Sequence, residues 1–258
     1  MQRRYRWAIA LAPCALAWQW GLTQQALAND DITMSTSLTS VAQSETVNLL
    51  DLGAGERPGL VSQETVRFGS DSSAGVITYS GTSGIYMGSV AGLTAAPWTP
   101  TGVETRNYFS TQPKGDITIS YGQNQQYFGI MWGSVDGYNT LSFYNNDRLV
   151  EQVSGRDVTS NPNGNQAAKG TYFANFNFNG DATFNRVVFT SSSPAFEFNM
   201  IAFSTRTQAI TPTDVVKLGP QGTPQAIAVP VNAAPVAASP LLVGLLGLWR
   251  RRRSRAGG

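Results

Sequence analysis

Between Asp116 and Ser204 the apolar residues recur at every second position in short runs. Each run stops at a Gly, Asn, Asp, Ser or Pro. Ile117, Ile119 and Tyr121 alternate with Thr118 and Ser120, and Tyr172, Ala174, Phe176 and Phe178 alternate with Phe173, Asn175 and Asn177. A period of two is that of a half-buried strand, and no helical period of comparable strength competes with it. Strands are expected over residues 46–52, 64–68, 76–80, 85–90, 117–121, 127–132, 138–144, 149–153, 172–178, 184–190 and 195–204. In the last, Phe196, Phe198, Met200 and Ala202 should face one way, and Glu197, Asn199 and Ile201 the other. Asp136-Gly137 and Asn145-Asn146-Asp147 are turn sequences, and Asn179-Gly180 suits a type I′ hairpin between residues 172–178 and 184–190. Residues 91–102, with Pro97, Trp98 and Pro100, read as a long connection whose Trp98 lies as a lid on the core. Residues 160–170 read as a polar loop. Roughly ten short strands with frequent turn signals specify an all-β fold, a two-sheet β-sandwich of jelly-roll type, as one domain over residues 29–205.

The two ends follow other rules. Residues 1–28 carry Arg3, Arg4 and Arg6, then a mostly apolar stretch, then Ala26-Leu27-Ala28. That is the layout of a secretory signal peptide cut by signal peptidase after Ala28. Residues 206–228 are rich in Thr, Pro and Ala without a period and read as a linker. Residues 229–258 hold Val229, Pro230 and Pro235, then Ser239-Pro240, the apolar run LLVGLLGLW at 241–249, and Arg250, Arg251, Arg252, Arg253 and Arg255. From Val229 to Trp249 the segment has about the ~20 residues that cross a bilayer, and the arginines would hold its end on the cytoplasmic side. This tail resembles the PEP-CTERM class of bacterial sorting signals, although the chain has no acidic residue after Asp214 to supply a Pro-Glu-Pro motif. The resemblance implies an exosortase-like membrane protease as partner, transient seating of the tail in the inner membrane, and delivery to the cell surface. A plain C-terminal membrane anchor is the alternative.

Of the 18 basic residues, three arginines lie in residues 1–28 and five in residues 250–258. The ten between face all 16 acidic residues, so the exported body carries about −6 at neutral pH. An acidic body argues against a nucleic-acid partner. The sole cysteine, Cys14, lies in the signal peptide and there is no histidine. Ser-His-Asp and Cys-His chemistry and His-ligated metals are thereby excluded, which leaves carboxylates and oxygen-ligated cations. No cofactor is expected.

The sharpest local motif is Trp132-Gly133-Ser134-Val135-Asp136-Gly137-Tyr138-Asn139. With the Asn-Phe-rich segment from Tyr172 and the closing Ala195-Phe196-Glu197-Phe198 strand, it resembles a family of exosortase-dependent surface proteins with a Trp-Gly-Ser-x-Asp-x-Tyr-Asn segment. That resemblance implies location and fold rather than activity. Two accounts of the motif stand. Trp132 and Tyr138 could stack on a sugar while Asp136 and Asn139 bond its hydroxyls; alternatively Asp136-Gly137 makes a turn and Trp132 fills core, which is the simpler account. A carboxylate pair for glycoside hydrolysis could come from Asp136, Asp147, Glu151 and Asp157. Calcium could sit in the turns at Asn145-Asn146-Asp147 or at residues 161–165, although no spacing matches a calcium loop and solvated turn residues are the plainer account. The expectation is a non-enzymatic surface protein, structural or adhesive within exopolysaccharide. A lectin-like carbohydrate-binding module, with or without calcium, is the first alternative and a secreted glycan hydrolase the second.

Overall fold

The computed structural model describes residues 31–37, 39, 47–99 and 102–212, and the backbone of 214–218 and 224–226. The expected signal cleavage at Ala26 and Ala28 lies outside these residues. So does the sorting segment with Val229, Pro230, Ser239, Pro240, Arg250, Arg251, Arg252 and Arg253. Among the described residues no helix is long and apolar enough to cross a membrane.

The strands are β1 (Ile32–Ser37), β2 (Asn48–Leu50), β3 (Gly59–Ser62), β4 (Val66–Phe68), β5 (Gly75–Tyr79) and β6 (Gly84–Met87). There follow β7 (Trp98–Thr99), β8 (Gly102–Val103), β9 (Tyr108–Thr111), β10 (Asp116–Gln125), β11 (Tyr127–Gly133) and β12 (Asn139–Asn145). The last are β13 (Arg148–Ser154), β14 (Tyr172–Phe178), β15 (Phe184–Ser191), β16 (Phe196–Ser204), β17 (Asp214–Leu218) and β18 (Pro224–Ala226), with one helical turn, α1 (Gly155–Val158), after β13. Among the described residues these form two large antiparallel sheets and a separate two-stranded hairpin, β7-β8. The larger runs β18-β17-β1-β14-β11-β16-β9-β6-β3, with β2 also beside β16; the smaller runs β13-β12-β15-β10-β5-β4. The chain is an all-β sandwich.

Aromatic side chains fill the space between the sheets. Phe189 of the smaller sheet stacks on Phe198 of the larger at 3.8 Å and 8°. Phe143 meets Phe176 and Phe178 at 5.1 and 5.0 Å, and Phe184 meets Phe178 at 4.7 Å. Trp132 is fully buried in this core, stacked on Phe196 at 4.3 Å. Each such ring removes a large apolar area from water, the main stabilising contribution in a fold without disulfides.

Three local expectations are corrected. Asn179-Gly180 does not close a hairpin. Strand β14 already pairs with β1 on one edge and β11 on the other, while β15 lies between β10 and β12 in the opposite sheet. With both edges of β14 occupied, the chain arches across the sandwich, and Phe178 and Phe184 meet from opposite sheets with their rings tilted by 47°. The segment before the arch is fixed by the amide of Asn179 donating to the Asp31 carbonyl, and the arch is closed by the amide of Ala182 donating to the Asn179 carbonyl. The second correction concerns β16. Its register against β11 slips between Gly129 and Met131, and Met200 takes φ 51°. This bulge shifts the alternation by one residue, so Phe196, Phe198, Ile201 and Phe203 face the core rather than Met200 and Ala202. Third, the stretch expected as a linker contributes β17, paired with β1, and β18. Trp98 is half-buried in the short β7-β8 hairpin, beside Val103, and is not part of the core between the sheets. Asn146-Asp147 does close the β12-β13 hairpin, with Asn146 at φ 54°.

Candidate functional site

Three of the connections that cross between the sheets at one end of the sandwich are tied to one another. They join β11 to β12, β13 to β14 through α1, and β15 to β16. Backbone hydrogen bonds tie the first two together. Gly164 N donates to Val135 O at 3.1 Å, Gly137 N to Pro162 O at 3.3 Å, and Val135 N to Gly170 O at 3.0 Å. Side chains tie the first to the third: Tyr138 Oη donates to Pro194 O at 3.0 Å, and Asn139 Nδ2 to Ala195 O at 3.3 Å, while Ser191 Oγ donates to Asn139 Oδ1 at 2.7 Å. A fourth wall is the long β6-β7 connection, which lies over the outer face of the larger sheet, with Leu93 and Ala96 packed against Tyr86 and Tyr108.

These four segments enclose a cleft of about 480 Å³. Its chemistry is set by Asp136, Tyr138, Asn163, Gln166, Thr94 and Glu197. Glu197 sits in β16 between Phe196 and Phe198, so their burial in the core turns it to the outer face, where the β6-β7 connection covers it. It is 2 % exposed. Its Oε1 accepts from Ala95 N at 2.8 Å and from Thr94 Oγ1 at 3.2 Å; its Oε2 has no hydrogen-bond partner. Burial, with a smaller contribution from the Asp136 charge, pushes the Glu197 carboxyl up to about 8, against the bonds from Ala95 and Thr94. It therefore carries a proton at neutral pH. Burial also raises Asp136, with Tyr138 opposing, and raises the Tyr138 hydroxyl, helped by the neighbouring Asp136.

Asp136 owes its place to Gly164. That residue has φ 65°, and a Cβ there would lie 2.7 Å from both Asp136 carboxylate oxygens. Among the described residues no Lys or Arg lines the cleft. Arg156 lies against Gly137 but makes no ion pair with Asp136.

Of the four motif residues expected at a binding site, Asp136 and Tyr138 line the cleft. Trp132 does not: its ring is sealed in the core, where no sugar reaches it. Asn139 is fully buried and holds two crossings together rather than facing a ligand. The other carboxylates are dispersed. Asp147 is exposed beside Arg186, Glu151 is buried in β13, and Asp157 accepts from the Ser154 amide and hydroxyl at the start of α1. The partner of Asp136 is Glu197, which strand alternation sets on the face opposite Phe196 and Phe198 without indicating that this face is covered. Its signal in the sequence was a single acid between two phenylalanines in a strand. Among the described residues no group of three or more Asp, Glu, His or Cys gathers to hold a metal.

Comparison with protein-family models, with curated proteins and with solved structures finds no match to the chain.

Proposed function

We propose that the chain is an exported protein of a bacterial cell surface or extracellular matrix, non-enzymatic, which adheres to polysaccharide through the cleft at the end of its sandwich. Successive strands that alternate between the two sheets support reading the sandwich as one of jelly-roll type. The single observation that carries the reading is the cleft: a concave site with converging hydroxyl, amide and carboxyl groups, set on short crossings of a rigid scaffold. Hydrogen-bonding side chains of this kind match the hydroxyls of a glycan. The end segments supply the address, with signal peptidase and an exosortase-like protease as the processing partners.

Polysaccharide pull-down with the full chain, with and without EDTA, tests the binding. Retention that survives EDTA is expected; loss of retention on every glycan ends the proposal. Intact mass of the exported protein tests the address, with removal of residues 1–28 and of the tail as the expected result. A second reading rests on the pairing of Asp136 with a proton-bearing Glu197, an acid and a base in one cleft, as in glycoside hydrolysis. Release of reducing ends that disappears in Glu197→Gln would favour it.

A further inference from the structure

We infer that the cleft selects glycans bearing free amino groups, so that a ligand ammonium sits between Asp136 and Glu197. The inference rests on the glycan-binding reading and narrows it to a ligand class.

Two carboxyls line one cleft, and no cationic side chain among the described residues lines it with them. Glu197 is 2 % exposed, yet its Oε2 lacks a partner. A buried carboxyl oxygen without a hydrogen-bond partner is costly, so a site that keeps one is built for a partner from outside the chain. A neutral sugar satisfies it with a hydroxyl but leaves the Asp136 charge uncompensated as water is expelled. A uronate or sulfate brings a like charge and is repelled. An ammonium supplies three donors and the missing positive charge, and charge-assisted hydrogen bonds of this type are about twice as strong as neutral ones. The exported body, at about −6, attracts a polycationic glycan at longer range.

A bare metal ion fits less well. The volume of about 480 Å³ is far larger than an ion needs, and calcium takes about six to eight oxygen ligands where only two carboxyls are offered. That volume lies within the usual range of small-ligand sites.

The test is calorimetric titration of the full chain with a β-1,4-linked glucosamine tetramer, its N-acetylated form, the glucose tetramer and a uronic acid oligomer. Calcium chloride alone forms a further arm. The amine-bearing tetramer is expected to bind at least about tenfold tighter than the others, a difference of about 1.4 kcal/mol. The preference should shrink at high salt. Proton release should accompany binding near pH 7, read from titrations in two buffers of different ionisation enthalpy, because the ammonium charge favours the ionised Glu197 carboxylate and its proton passes to the buffer. Asp136→Asn and Glu197→Gln should each abolish the preference, and Asp147→Asn on the exposed β12-β13 turn should leave it intact. Melting temperatures show whether each variant is folded, and either carboxyl variant alone suffices. Equal affinity for the acetylated or neutral tetramer overturns the amine inference and leaves the glycan reading standing. Failure of all the sugars to bind overturns both. Calcium binding lost in Asp136→Asn identifies a cation site and also overturns the inference.

Discussion

The amide of Ala95 donates to Glu197 Oε1 at 2.8 Å, across 102 residues of sequence. This bond fastens the β6-β7 connection to the outer face of the larger sheet and forms one wall of the cleft. Its acceptor is the carboxyl that burial holds protonated at neutral pH, so the wall and the protonation state of Glu197 are coupled.

The coupling has a definite sign. Glu197 is pushed up to about 8 in the folded chain, from 4.5 as an ordinary glutamate. Between those values the folded state keeps a proton that the unfolded state has lost. The contribution of Glu197 to stability is therefore full below about pH 4.5, falls as pH rises by at most about 1.4 kcal/mol per pH unit, and levels off above pH 8. Urea denaturation between pH 5 and 9 should show this decline in the wild type and a flatter profile in Glu197→Gln.

Glu104 acts in the opposite direction. Burial raises its carboxyl, but hydrogen bonds from Arg106, the Arg106 charge and a bond from Asn199 outweigh burial and leave it below the ordinary glutamate value. Its contribution is present above the unfolded value and lost as pH falls through the lower folded one. Glu104→Gln should cost stability at pH 7 and less at pH 3, read as a narrowing of the melting-temperature gap between variant and wild type.

Gly164→Ala places a methyl against the Asp136 carboxylate at a left-handed backbone position. A stability loss of at least about 1–2 kcal/mol is expected from the backbone alone. Ligand retention should fall as Asp136 is displaced. Gly53→Ala, also at positive φ but with open space around its Cβ and away from the cleft, should lose stability in the same range while Asp136 stays in place. Chemical denaturation and glycan pull-down of the two variants check both halves.

Asn139→Ala removes the donor to Ala195 O and the acceptor for Ser191 Oγ, both in a fully buried place. A loss of about 1–3 kcal/mol is expected, with weaker ligand retention because two crossings lose their tie. Denaturation midpoints measure the first effect and pull-down the second.

Phe189→Ala empties space beside the Phe198 ring and should cost about 3–5 kcal/mol in denaturant titration. A loss under about 1 kcal/mol would mean that the two sheets do not meet at this pair.

Much of the fold was legible because alternation is local. The β10 to β13 segments, the Asn146-Asp147 turn and the all-β class follow from the spacing of apolar residues and from turn chemistry. Half of the site was legible too: Asp136 and Tyr138 stand in the motif that the sequence singles out. Asn179-Gly180 misled because a turn sequence specifies a reversal of direction, not which sheet the returning strand joins. Occupied edges on β14 decided that. Met200 misled because a bulge moves the alternation by one residue and leaves no composition signal.

Local spacing and composition specify the strands, an acidic body without thiols or histidines, and ends of a different character from the middle, because these are properties of residues close together in the chain. Long-range packing buries Glu197 and sets it across a cleft from Asp136. That pairing depends on which strands share a sheet and where three crossings converge, and these are set by long-range packing of aromatic faces, on which local sequence is silent.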